Sequence, residues 1–207
     1  MSSKKIKRPR KTANIEFTER KSVFIGFSTF VENEEQALEI IKQKKKQYSD
    51  ATHNVYAYVI GESIARYSDD NEPQGTAGMP VLNAIRMSGI SDVLVVVTRY
   101  FGGILLGAGG LVRAYSTSAS MALEEGGIKI FENYYVYRVT LTYSDYGKFS
   151  TELQNVDAII DDTSFEDEVK IKFAVKEEIA DSFQKRIIDL FNGKVVLNNV
   201  ESRIDAK

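Results

Sequence analysis

Hydrophobic positions alternate with mixed neighbours from Val23 to Val31, with Val23, Ile25, Phe27 and Val31 in phase, and this predicts a strand. Asn33 follows as an N-cap with Gln36 at the capping-box position. Ala37, Leu38, Ile40 and Ile41 then form the apolar face of a helix, and Lys42 to Lys46 crowd its negative end. The tyrosine- and valine-rich stretch His53 to Ile60 reads as a strand, Gly61-Glu62-Ser63 as a turn, and Ile64 to Tyr67 as the returning strand. After a polar loop, Ser68 to Gly75, a helix is predicted from Thr76 as its cap to Met87. Pro80 is tolerated in its first turn and Gly89 ends it. The unbroken apolar run Val93 to Val97 predicts a buried strand. A glycine-rich loop leads from it into a helix over Leu111 to Glu125, stopped by Gly126-Gly127, and a strand begins at Ile128.

The pattern restarts near Asn133. Strands are predicted at Tyr135 to Tyr143, Val156 to Phe165, Val169 to Val175 and Val195 to Ile204. Helices are predicted at Ser144 to Asn155 and Glu177 to Phe191, the second with Ile179, Phe183, Ile187, Leu190 and Phe191 on one side. The order βαββαβ is that of a ferredoxin-like unit. The expected fold class is α+β in three parts: a basic flexible tail over residues 1–14, a first domain over 15–132 and a ferredoxin-like domain over 133–207.

Composition narrows the functional classes. With 43% hydrophobic and 27% charged residues in 207, the chain has the make-up of a soluble globular protein. No apolar run approaches the roughly 20 residues of a membrane span, and no hydrophobic core follows the basic N-terminus as a secretory signal requires. The absence of cysteine excludes disulfides, thiolate metal sites and a cysteine nucleophile. One histidine excludes a multi-histidine metal site. A cytoplasmic protein fits these facts. Net charge is −2, but the first eleven residues hold six cations, so the remainder carries about −8. That tail is either a contact for RNA or a solvated terminus.

The densest functional signal is Arg99-Tyr100-Phe101-Gly102-Gly103-Ile104-Leu105-Leu106-Gly107-Ala108-Gly109-Gly110-Leu111-Val112-Arg113. Five glycines in nine residues expose backbone N–H groups between a strand and a helix N-terminus, with an arginine at each end, which suits an anion. The loop lacks the Gly-Lys-Ser/Thr ending of a P-loop, and Val112 stands where a dinucleotide fingerprint needs its third glycine. The alternative is a glycine-lined packing turn. The candidate anion or nucleic-acid site comprises Arg99, Tyr100, Gly102, Gly103, Gly107, Gly109, Gly110 and Arg113, with His53, Gly75 and Thr76. Asp69, Asp70 and Glu72 are candidate magnesium ligands, or else a solvated turn or a helix cap. His53, the single histidine, is the candidate general base, or else a hydrogen-bonded structural residue.

Three long motifs carry a resemblance. Asp50-Ala51-Thr52-His53-Asn54-Val55-Tyr56-Ala57-Tyr58, the segment Ser68-Asp69-Asp70 through Glu72-Pro73 and Gly75-Thr76-Ala77-Gly78 to Pro80, and Val96-Val97-Thr98-Arg99-Tyr100-Phe101-Gly102-Gly103 through Tyr115 resemble the Impact/YigZ family over about residues 15–130. Residues 134–207 resemble the C-terminal domain of its bacterial members. The resemblance implies a first domain folded like the second domain of ribosomal protein S-five and domain IV of elongation factor G. It implies a second domain like that factor's domain V. Eukaryotic relatives modulate translation through a starvation-responsive kinase system. Bacterial members have no settled activity, and the kinase mechanism does not carry over to them. The expected function is a non-enzymatic translation-related regulator that contacts RNA, the ribosome or a translation-associated protein, with no cofactor. A magnesium-dependent phosphoryl hydrolase and a protein-interaction module stand as alternatives. Asn71 stands where the family pattern has glycine, and asparagine tolerates a left-handed backbone.

Overall fold

The computed structural model describes residues 5–206. The chain divides into two compact units, Lys7–Lys129 and a second comprising Ile130–Lys207 with the residues up to Ile6. Both are mixed α and β.

The first unit is built on a five-stranded antiparallel sheet. Its strands are β2 (Ala13–Glu19), β3 (Ser22–Phe30), β4 (His53–Ile60), β5 (Ile64–Ser68) and β6 (Val93–Tyr100), in the order β2-β3-β6-β4-β5. Helix α1 (Glu34–Gln47) covers one face, and helices α2 (Gly78–Ser88) and α3 (Gly107–Gly126) cover the other. The central β6 is therefore buried on both sides. Leu94 and Val96 pack toward α1, while Val93, Val95 and Val97 pack toward α2 and α3. That explains why its sequence is an unbroken apolar run rather than an alternating one.

Local signals set the helix ends. The Asn33 side chain accepts the Gln36 N–H, as a capping box requires, but the Gln36 amide reaches back to the N–H of Glu32, one residue beyond the usual partner. Gly89 closes α2 in the left-handed conformation. Thr76 does not cap that helix. Its hydroxyl donates to the Pro73 carbonyl, and the Asp69 carboxylate takes the N–H groups of Ala77 and Gly78 instead. An ionised acceptor reaching across the loop displaces the adjacent hydroxyl because charge-assisted bonds are stronger.

The expected flexible tail is corrected from Lys5 onward, and residues 1–4 lie outside the described residues. Ile6–Pro9 form strand β1 and Ala13 opens β2. Arg8 pairs with Asp92 and Lys11 with Glu125. The N–H groups of Arg10 and Lys11 bond the carbonyls of Gly127 and Gly126. The basic run concealed short strands whose cations meet carboxylates supplied from distant positions.

The second unit contains β7 (Ile128–Leu141, from Ile130), α4 (Tyr143–Asn155), β8 (Ile159–Phe165), β9 (Val169–Lys176), α5 (Glu177–Leu190) and β10 (Asn198–Asp205). The strand order β10-β7-β9-β8, antiparallel throughout, is that of a ferredoxin-like sheet. Alternate residues Tyr137, Val139 and Leu141 of β7 meet Phe149 of α4 and Phe183 and Ile187 of α5 in one core. Among the described residues, no helix is long and apolar enough to cross a membrane.

Candidate functional site: a cleft under the first turn of α3

Arg99 sits at the end of β6, in register with His53 of β4 and Phe24 of β3. It continues the column Val93, Val95, Val97, so strand alternation directs a cation to the helix-covered face. There it is 5% exposed. Its Nη1 donates to Glu72 Oε1 at 2.7 Å and its Nη2 to Ser22 Oγ at 3.3 Å, while Nε has no hydrogen-bond partner among the described residues. The guanidinium stands over the rings of Phe24 and Phe101 at 5.5 and 5.4 Å. Tyr115, from the third turn of α3, donates its hydroxyl to the same Glu72 oxygen at 2.7 Å. Burial, then the Glu72 charge, hold the Tyr115 hydroxyl far above the ordinary phenol range, so it stays a donor.

Two segments meet around this pair. Asn71, Glu72 and Pro73 from one loop, and Phe101, Leu105, Gly107 and Ala108 from the other, line a cleft of about 400 Å³ with Thr52, His53 and Arg99. The two loops and His53 thus share one concavity. The His53 Nδ1 lies 2.8 Å from the Asp70 carbonyl, which calls for a proton on Nδ1. Its Nε2 is then the acceptor in the neutral ring and lies 3.7 Å from Glu72 Oε1.

Helix α3 begins four residues earlier than its apolar pattern indicates, at Gly107, so three of the five loop glycines belong to its first turn. No side chain caps that turn, and it contains no acidic residue. Gly107 and Ala108 of that turn line the cleft, and among the described residues no side chain accepts from the orphan N–H groups at this end of the 20-residue helix.

The other candidate residues separate. Arg113 is exposed and lies outside this cleft, lining a second concavity with Arg20 and Gly110. The Tyr100 hydroxyl donates to Asp50. Gly102 is a packing glycine, because a Cβ there would fall 2.0 Å from the backbone of Lys21. Gly103 and Gly107 have positive φ, and Gly110 packs on Leu106. The Gly75 N–H is held by Asp69 and the Thr76 N–H by the Pro73 carbonyl, so neither is a free donor.

The three carboxylates do not converge. Asp69 binds three backbone N–H groups, of Gly75, Ala77 and Gly78. Asp70 takes the Asn54 N–H and the Lys45 ammonium, and Glu72 holds Arg99 and Tyr115. Among the described residues, no group of three His, Asp or Glu is arranged to hold a metal. Asp70 and Asn71 are both left-handed, at φ of 44° and 69°, so asparagine does take the turn position expected of glycine. Ser22 and Tyr115 reach Arg99 only through the strand register and the helix phase, which no local motif in the sequence signals.

A family model described as the Impact N-terminal domain matches residues 20–123, and one described as a domain of unknown function, DUF1949, matches residues 139–194. The chain is 39% identical to the IMPACT family member YvyE of Bacillus subtilis, over 84% of this chain and 81% of that protein. It is 30% identical to the IMPACT family member YigZ of Escherichia coli, over 88% and 91%. Protein IMPACT-B of Xenopus tropicalis is 32% identical over 53% of this chain and 36% of its own length. A crystal structure described as a hypothetical protein superposes with a TM-score of 0.60 at 28% identity, covering 95% of this chain and 98% of that one.

Proposed function

This chain belongs to the Impact family, and on that footing we propose that it acts in translation, in the cytoplasm, as a non-enzymatic protein that binds a phosphate group of RNA in the α3 cleft. The observation that carries the reading is a deficit of acceptors: an uncapped, acid-free helix N-terminus opens where a buried arginine already lines the wall. A phosphate supplies acceptors to such N–H groups and gains from the helix dipole. Gly109 supports it. Its φ is not positive and a Cβ there would meet nothing within 4 Å, so neither backbone nor packing calls for glycine. A bare backbone at that position lets a ligand approach closely. The reading needs no cofactor. The commitment of Asp69, Asp70 and Glu72 to protein partners weighs against the magnesium-dependent hydrolase.

Ala108→Asp tests the proposal. Ala108 is exposed and lies in the first turn. An acid there stabilises the helix by about 0.3–1 kcal/mol, while it repels an incoming phosphate. The expected outcome is an unchanged or raised melting temperature with loss of salt-sensitive binding of uridine monophosphate and RNA. RNA affinity equal to that of the parent would remove the cleft from consideration.

A further inference from the structure

On the far side of the α3 first turn, cations accumulate without carboxylate partners. The tip of the β2–β3 hairpin is Arg20-Lys21, and both residues are exposed. Both also have positive φ, 45° and 64°, in a turn that favours asparagine and glycine. The turn therefore holds two long cations where smaller residues fit the backbone better. Arg113 projects from α3 into a concavity of about 340 Å³ shared with Arg20, Phe17 and Thr117. Among the described residues, Arg20, Lys21 and Arg113 make no ion pair, unlike Arg8, Lys11 and Lys45. Glu19 is the one acid lining that concavity, and it is not paired with either arginine.

The cationic tip and the glycine loop form one surface. Gly102 rests directly on the Lys21 backbone, at a distance that admits no side chain. Beside it, Phe101, Ile104 and Leu105 stand 44%, 40% and 80% exposed. Leu106 lines both this concavity and the α3 cleft, so the two are continuous around one residue. Unpaired cations beside exposed aromatic and aliphatic side chains match a strand that offers phosphates and unstacked bases together. A duplex keeps its bases stacked inside and leaves such apolar side chains without a partner.

Building on the cleft reading, we propose that the ligand is single-stranded RNA. One phosphate occupies the α3 cleft, the next ones follow Arg20, Lys21 and Arg113, and bases rest on Phe101 and Leu105. The test compares uridine monophosphate, a short oligouridylate and an RNA duplex of equal length, on the full chain and on a double variant, Arg20→Asn with Arg113→Gln. Asparagine keeps the left-handed turn residue tolerable. The oligouridylate is expected to bind more tightly than the monophosphate and the duplex. The double variant is expected to lower oligouridylate affinity about tenfold and to shrink its salt slope by about 0.7 per lost contact. Monophosphate binding should be unchanged. Oligouridylate binding no tighter than monophosphate, indifference to the double variant, or equal binding of duplex would each overturn the single-strand proposal while leaving the cleft reading standing. Oligouridylate binding that depends on Arg20 and Arg113 without any monophosphate binding would keep the strip and remove the cleft. Failure of all three ligands to bind would remove both the strip and the cleft readings.

Discussion

Glu72 Oε1 lies 2.7 Å from Arg99 Nη1, and the two side chains are among the most buried charged groups of the first unit. The pair is structural and, through Arg99, also part of the cleft wall. Removing either partner leaves an uncompensated buried charge, at a cost of about 3–5 kcal/mol. Glu72→Gln and Arg99→Ala should therefore both lower the denaturation midpoint strongly. Tyr115→Phe, which removes one neutral donor but leaves the ion pair, should cost only about 1–2 kcal/mol. Equal losses from all three in chemical denaturation would mean that the ion pair is not the keystone of this network.

Asp69 replaces a local cap with a distant one. Its carboxylate accepts from Gly75, Ala77 and Gly78, tying the acidic loop to the start of α2. Asp69→Ala leaves those three N–H groups without their acceptor and should cost about 2 kcal/mol. Hydrogen exchange at Ala77 and Gly78 should accelerate most. Unchanged protection there would show that the loop holds α2 by other contacts.

How much of this was legible depends on sequence distance. The apolar run Val93 to Val97 and the periodicity of α1 and α5 are local, and their strands and helices follow from them. The start of α3 was hidden because glycine is a poor helix former, so Gly107–Gly110 read as loop although their backbone is helical. Strand β2 was hidden for a different reason. Ala13, Ile15 and Phe17 do alternate, but they adjoin a basic run that reads as a tail. Glu72, Arg99 and Tyr115 are 27 and 43 residues apart along the chain, and no local pattern links them. In the sequence Arg99 and Arg113 bracket one loop, which points to one site. In the fold the loop's helix carries Arg113 past the cleft to the neighbouring concavity.

Gly109 offers a substitution whose effects on stability and binding should have opposite signs. Alanine is favoured over glycine in a helix by up to about 1 kcal/mol, and a Cβ there meets open space. Gly109→Ala should raise the melting temperature while weakening uridine monophosphate binding, because the new methyl group stands beside the exposed N–H groups. If binding is as tight as in the parent, the bare backbone at this position serves no ligand.

Glu132 gives a pH dependence with a definite sign. It lies between Lys176, 2.5 Å away, and Lys5, 2.8 Å away. Hydrogen bonds from these ammonium groups, that of Lys176 first, hold its carboxyl below the ordinary value. A carboxylate depressed on folding contributes stability that is complete above its unfolded value, about 4.3 for glutamate. That contribution is lost as pH falls through the lower folded value. The Glu132 bonds raise Lys176 and Lys5 in turn. Their contribution is complete below the ordinary lysine value, about 10.4, and is lost as pH rises through the folded values. Glu132→Gln should thus cost about 1 kcal/mol or less at neutral pH, given the screening of partly exposed pairs. The difference between parent and variant should shrink at both extremes. Urea denaturation at a series of pH values measures it. A difference that stays constant into acid would mean that the glutamine loses packing rather than charge.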